Sequence, residues 1–200
     1  TCRTTKFTTI RSSRTAEYTT CKRNEKAEHA PEKSKKNAKN QKNICGSNNS
    51  AGSFCRGQNI ICARLLKSLA EGYPESLVQL YEKNEEARQF VLDYKKNGNN
   101  EQPIDISSDV TDGKIPLFLQ WDERWGYRTY GDNFLAITGC GPTALSMVYV
   151  GLTGDTSMNP YTIAQMAQED GFYVNGSGSA WSMMTELATK LGLSAQELSL

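Results

Sequence analysis

One four-residue stretch limits the architecture of this chain more than any other: Gly139-Cys140-Gly141-Pro142, followed by Ala144, Leu145, Val148 and Leu152. Those apolar residues recur with the period of an α-helix that buries one stripe. Pro142 presets a helical φ and gives up only an N–H that the first turn would leave unpaired. A buried helix should therefore begin near Cys140. The reactive form of a cysteine is the thiolate, and the first turn of a helix offers it unpaired N–H groups and a positive dipole end. Glycines on both sides remove bulk, so a carbonyl group could approach the sulfur closely. The competing reading is a structural thiol, since reduced cysteine is among the most buried residue types.

Elements on either side of this helix can be read from spacing. Ile60, Ile61, Leu65, Leu66 and Leu69 suggest a short apolar helix, ended by Gly72-Tyr73-Pro74. Pro74 opens a second helix with Leu77, Leu80 and Tyr81 on one face. Asn84 is a candidate cap for a third, with Ala87, Phe90, Val91 and Tyr94 at helical spacing. Residues 60–97 thus read as a helical preface, and residues 98–114 as a polar linker. Ile115-Pro116-Leu117-Phe118-Leu119 and Phe134-Leu135-Ala136-Ile137 are expected to be extended segments. Asn159-Pro160 should cap and open a helix that ends at Gly171, and Phe172-Tyr173-Val174 is strand-like. Residues 175–179 read as a loop. Met184, Leu187, Ala188 and Leu191 mark another helix closed by Gly192, and Ser194-x-x-Glu197 is a capping box that announces one more.

The first part of the chain differs in character. Residues 1–44 hold 12 Lys/Arg against 4 Glu, whereas residues 45–200 hold 11 Lys/Arg against 18 Asp/Glu. Residues 1–59 carry few apolar side chains and are expected to be a disordered basic tail. The tail lacks interleaved aromatics, so no nucleic-acid partner is expected. Five of the six cysteines (Cys2, Cys21, Cys45, Cys55, Cys62) lie in the first third, with no CxxC pair and a single histidine, His29. That pattern argues against a zinc module, fixes no disulfide pairing, and implies neither metal nor organic cofactor. No stretch has the length of apolar sequence that a membrane-spanning helix needs. Nothing in the pattern sets an oligomeric state.

The segment IPLFLQWDERWGYRTYG at 115–131, followed by TGCGPTALSMV, resembles the bacteriocin-processing (double-glycine) peptidase-like family of cysteine peptidases. The matching positions are Gln120, Asp122, Arg124, Trp125-Gly126 and Gly139-Cys140-Gly141-Pro142, with Gly176-Ser177-Gly178-Ser179-Ala180-Trp181 similar to a glycine-rich loop before a Trp. The resemblance covers about residues 115–193. It implies an α+β, papain-like fold and a bacterial thiol peptidase, secreted or on the cell surface, acting on peptide or protein substrates. By the same resemblance Cys140 is the nucleophile and Gln120 the oxyanion-hole side chain, a role in which an amide stabilises the tetrahedral intermediate. Gly139, Gly141, Trp125 and Trp181 are expected near the site as packing residues or cleft walls, as are Tyr127 and Tyr130. Asp122, Glu123 and Arg124 read as a charged turn.

Such a peptidase also needs a histidine to take the thiol proton and an Asp or Asn to orient it. No histidine follows Cys140. Together with a start at Thr1 and the unfinished capping box, this predicts a fragment: residues 115–200 as the helical, Cys-bearing half of the domain, with the His-bearing half beyond it. A non-catalytic peptide-binding module on the same fold and a cell-wall amidase are the alternatives.

Overall fold

Phe7 is fully buried, although it lies in a stretch with almost no other apolar residue. It belongs to strand β1 (Cys2–Thr9), which pairs antiparallel with β2 (Thr15–Cys21) on one side and with β7 (Leu193–Leu198) on the other. Phe7 stands opposite Ala195 in one ladder and Ala16 in the other, so the three share a face directed at the core. The expectation of a disordered tail therefore fails for these two strands. A run of Thr is poor in buried area but high in strand propensity, and one Phe at the right register anchors it. The computed structural model describes residues 2–9, 14–21, 71–99 and 101–198; the rest of the expected tail, the apolar run at 60–69 and His29 lie outside them. Residues Thr1–Lys22 and Pro74–Leu200 make one compact unit.

The capping box at Ser194 and Glu197 does not open a helix; it lies within β7. Leu193 and Ala195 alternate inward against β1, and that ladder overrides the local helix signal.

Helices α1 (Glu75–Lys83) and α2 (Arg88–Asn97) form the preface. Leu77 and Tyr81, then Phe90 and Val91, are their buried residues. Asn84 does not cap α2. It ends α1, and its side-chain oxygen accepts from the Glu86 N–H at 3.0 Å. The stretch at 98–114 is a strap more than a linker. It buries Ile106 completely and contains a short 3-10 turn at Ser107–Asp109. Arg124 fastens it, donating to the Asp105 carbonyl at 2.9 Å and to Asp109 at 2.6 Å while it also chelates Asp122. The charged turn thus has a tying function.

Across 115–119, Pro116 and Phe118 are buried while Ile115, Leu117 and Leu119 are exposed; the segment joins no sheet among the described residues. A two-residue hairpin follows, β3 (Thr129–Tyr130) with β4 (Asn133–Phe134). Only the first residue of the expected extended piece at 134–137 is extended. Leu135–Thr138 is a single helical turn, α3. The Gly139 N–H closes it on the Leu135 carbonyl at 2.8 Å, and the Thr138 hydroxyl folds back on the Phe134 carbonyl. Those bonds leave no trace in hydrophobic periodicity.

Helix α4 (Cys140–Thr153) lies in the hydrophobic core of this unit. Ala144, Leu145, Val148 and Leu152 are buried as their spacing requires, and so are Ser146 and Val150 on another side. A helix covered on several faces belongs in a core. Helix α5 (Pro160–Glu169) packs beside it, its first turn capped by Asn159, whose Oδ1 accepts from the Tyr161 and Thr162 N–H groups at 3.0 Å each. Strands β5 (Tyr173–Val174) and β6 (Gly178–Ser179) make a hairpin, so the last two residues of the expected loop are paired. Helix α6 (Met183–Lys190) ends before Gly192 and leads into β7. The architecture is mixed helix and strand, and among the described residues no helix is long and apolar enough to cross a membrane.

Candidate active site

Cys140 is the first residue of α4, with Gly139 at the N-cap. It is exposed and outside any disulfide. Its neighbours on both sides are buried or half-buried, and Pro142 and Thr143 already face the core. The helix therefore rises out of the interior with the thiol at its solvent end. The aligned peptide dipoles of a fourteen-residue helix favour a negative charge there. A buried structural thiol is not what the chain builds.

The two glycines do different work. A methyl on Gly139 would meet the Leu135 carbonyl oxygen at 2.5 Å, so the turn α3 can run into α4 only without a side chain there. A methyl on Gly141 would come within 2.9 Å of both the Ser179 Oγ and the Met183 Cε. Gly141 thus lets β6 and α6 lie against the first turn of α4.

Gln120 points its amide at α3. Its Nε2 donates to the Leu135 carbonyl at 3.1 Å and to the Ala136 carbonyl at 3.0 Å. Both N–H bonds are thereby engaged, by carbonyls five and four residues before Cys140. In this arrangement Gln120 holds the turn that delivers Gly139 and Cys140. Trp125 is a packing residue: it is fully buried, meets Phe118 edge-on at 5.5 Å, and its indole N–H donates to the Leu119 carbonyl at 2.9 Å. That bond fixes the peptide just before Gln120. Trp181 is half-buried between β6 and α6, and its carbonyl accepts the Met184 N–H.

Two side chains near the first turn of α4, Tyr130 and Ser179, carry no chemical signal in the sequence. The Tyr130 hydroxyl lies 2.8 Å from the Ser179 Oγ. Tyr130 itself is fully buried. Burial pushes its phenol above the ordinary value; the Ser179 bond pulls the other way, and negative charge on Cys140 adds a further upward push. Thr138 locks the pair in place: its hydroxyl donates to the Tyr130 carbonyl at 3.1 Å, while a methyl on Gly178 would meet its carbonyl at 2.7 Å. Ser179 sits in a stretch whose glycines signalled only a loop. Tyr130 looked like any core aromatic, and only the tertiary contact gives the two a common place.

No family model, no curated protein and no solved structure matches this chain. The site brings together an exposed thiol, a positive helix end and a hydroxyl pair. Among the described residues no group of three or more His, Cys, Asp or Glu is placed to hold a metal ion.

Proposed function

We propose that residues 115–200 form the nucleophile-bearing part of a papain-like thiol peptidase acting on peptide or protein substrates. One observation carries the reading: an exposed cysteine, flanked by glycines, is the first residue of a buried 14-residue helix. In the reaction the Cys140 sulfur attacks the peptide carbonyl carbon. The S–C bond forms as the C=O electron pair moves to oxygen, giving a tetrahedral oxyanion. Collapse re-forms the carbonyl and expels the amine, which takes a proton, leaving a thioester. Water then adds to the thioester and releases the acid and the thiol. The positive end of the α4 dipole is the natural stabiliser of that oxyanion. Gln120 would join it only by exchanging one of its two carbonyl partners for the substrate oxygen.

The proton acceptor has to come from outside residues 141–200, which contain no histidine. The engagement of the Gln120 amide favours a second reading: a peptide-binding module that keeps the cysteine position without turnover. Peptide aldehydes separate the readings. They add reversibly to a competent thiolate as hemithioacetals, so a nucleophile site predicts that they protect Cys140 from iodoacetamide, with peptide-dependent strength. Peptide binding by calorimetry, with no such protection, would support the binding module and overturn the peptidase reading.

A further inference from the structure

Ser179 lies where the hairpin β5–β6, the first turn of α4 and the buried phenol of Tyr130 converge. Its Oγ is 2.8 Å from the Tyr130 hydroxyl on one side and lies against Gly141, the residue after the nucleophile, on the other. A hydroxyl is both donor and acceptor. Tyr130 is buried and its phenol keeps its proton at any ordinary pH, so it can donate to the Ser179 oxygen. Ser179 then has its own proton to give in another direction. Accepting one hydrogen bond also strengthens a hydroxyl as a donor.

The arrangement is braced from behind. Tyr173 meets the Tyr130 ring edge-on at 5.1 Å, its own ring presses on Gly131, and its hydroxyl donates to Asp132. The Gly131 N–H is fastened to Gln168 of α5 at 2.8 Å. Tyr130 is therefore fixed from three elements, and Thr138 ties its backbone to the turn that precedes the nucleophile.

We propose that the Ser179 hydroxyl, oriented by the Tyr130 phenol, is the side-chain hydrogen-bond donor that stabilises the sulfur anion of Cys140. Ser179 is the donor and Tyr130 a positioning residue acting through it. The titratable and charged groups facing the pair are Cys140 itself, Tyr173 and Asp132. The inference rests on Cys140 being the nucleophile, and it explains how the thiolate is favoured without an imidazole from residues 141–200.

The test is the rate of iodoacetamide alkylation at Cys140, read by peptide mass spectrometry against pH on the full chain. Wild type is compared with Ser179→Ala, Ser179→Thr, Tyr130→Phe and the double variant Ser179→Ala/Tyr130→Phe. Losing one hydrogen bond to a charged group is expected to slow alkylation at pH 7 about three- to tenfold, by raising the thiol pKa. Ser179→Thr keeps the hydroxyl and should stay near wild type. The double variant should be no slower than Ser179→Ala, because Tyr130 has no separate path to the sulfur. A wild-type thiol that titrates low, together with unchanged profiles in Ser179→Ala and Tyr130→Phe, overturns the hydroxyl pair and leaves the nucleophile standing. A wild-type thiol that titrates at the ordinary value overturns the nucleophile reading and this inference with it. Should Tyr130→Phe unfold, Ser179→Ala against Ser179→Thr decides.

Discussion

Phe90 stacks on Tyr127 with ring centroids 4.1 Å apart and planes 11° from parallel, and the Tyr127 hydroxyl donates to the Phe90 carbonyl at 2.6 Å. The helical preface is thereby part of the same packed unit as the segment that carries Gln120. Tyr94 extends the contact, meeting both Tyr127 and Phe134, the residue just before the turn α3.

The preface should consequently contribute to stability throughout. Phe90→Ala is expected to cost about 3–5 kcal/mol in urea unfolding, and Tyr127→Phe about 1 kcal/mol for the lost hydrogen bond. A Phe90→Ala protein as stable as wild type would mean that α2 is an appendage.

Gln120 offers a test of position against chemistry. Its two bonds to the Leu135 and Ala136 carbonyls make it a clamp on α3. Gln120→Ala should destabilise by about 1–2 kcal/mol. Gln120→Glu should be worse, because a carboxylate would face two carbonyl oxygens with no hydrogen to give. Thermal unfolding of the two variants gives the order directly. Equal stability of Gln120→Glu and wild type would show that the clamp contributes nothing and would return Gln120 to a purely chemical role.

Thr143 lies one turn beyond Cys140, 3 % exposed, and its buried hydroxyl has no hydrogen-bond partner among the described residues. Thr143→Val preserves the shape and removes the unsatisfied oxygen. It should stabilise the protein by about 1 kcal/mol, since an unpaired buried hydroxyl costs roughly 1–3 kcal/mol. A Thr143→Val protein less stable than wild type in urea would show that the hydroxyl has a partner in solution.

Helices with long apolar stripes were legible from spacing. Ala144, Leu145, Val148 and Leu152 define α4, and Asn159-Pro160 defines the start of α5, because each signal is local and repeats. What was not legible depends on distant partners. Ser194 to Glu197 has the composition of a helix start, yet β1 recruits it as a strand. Phe7 is one apolar residue among threonines, and nothing nearby in sequence tells that Ala195 will stand opposite it. Leu135–Thr138 curls into a turn because Gln120, fifteen residues earlier, satisfies its carbonyls. The position of Cys140 followed from glycines, proline and helix physics. The Tyr130–Ser179 pair spans 49 residues and comes from the packing of β6 on α4.

The central claim is that the fold itself favours negative charge on the sulfur of Cys140. The most direct measurement is the pH profile of Cys140 alkylation in the unmodified chain, resolved from the other five cysteines by peptide mass spectrometry. The helix end and the hydroxyl pair predict a midpoint clearly below about 8.5, the ordinary thiol value. A midpoint at or above that value would contradict the account.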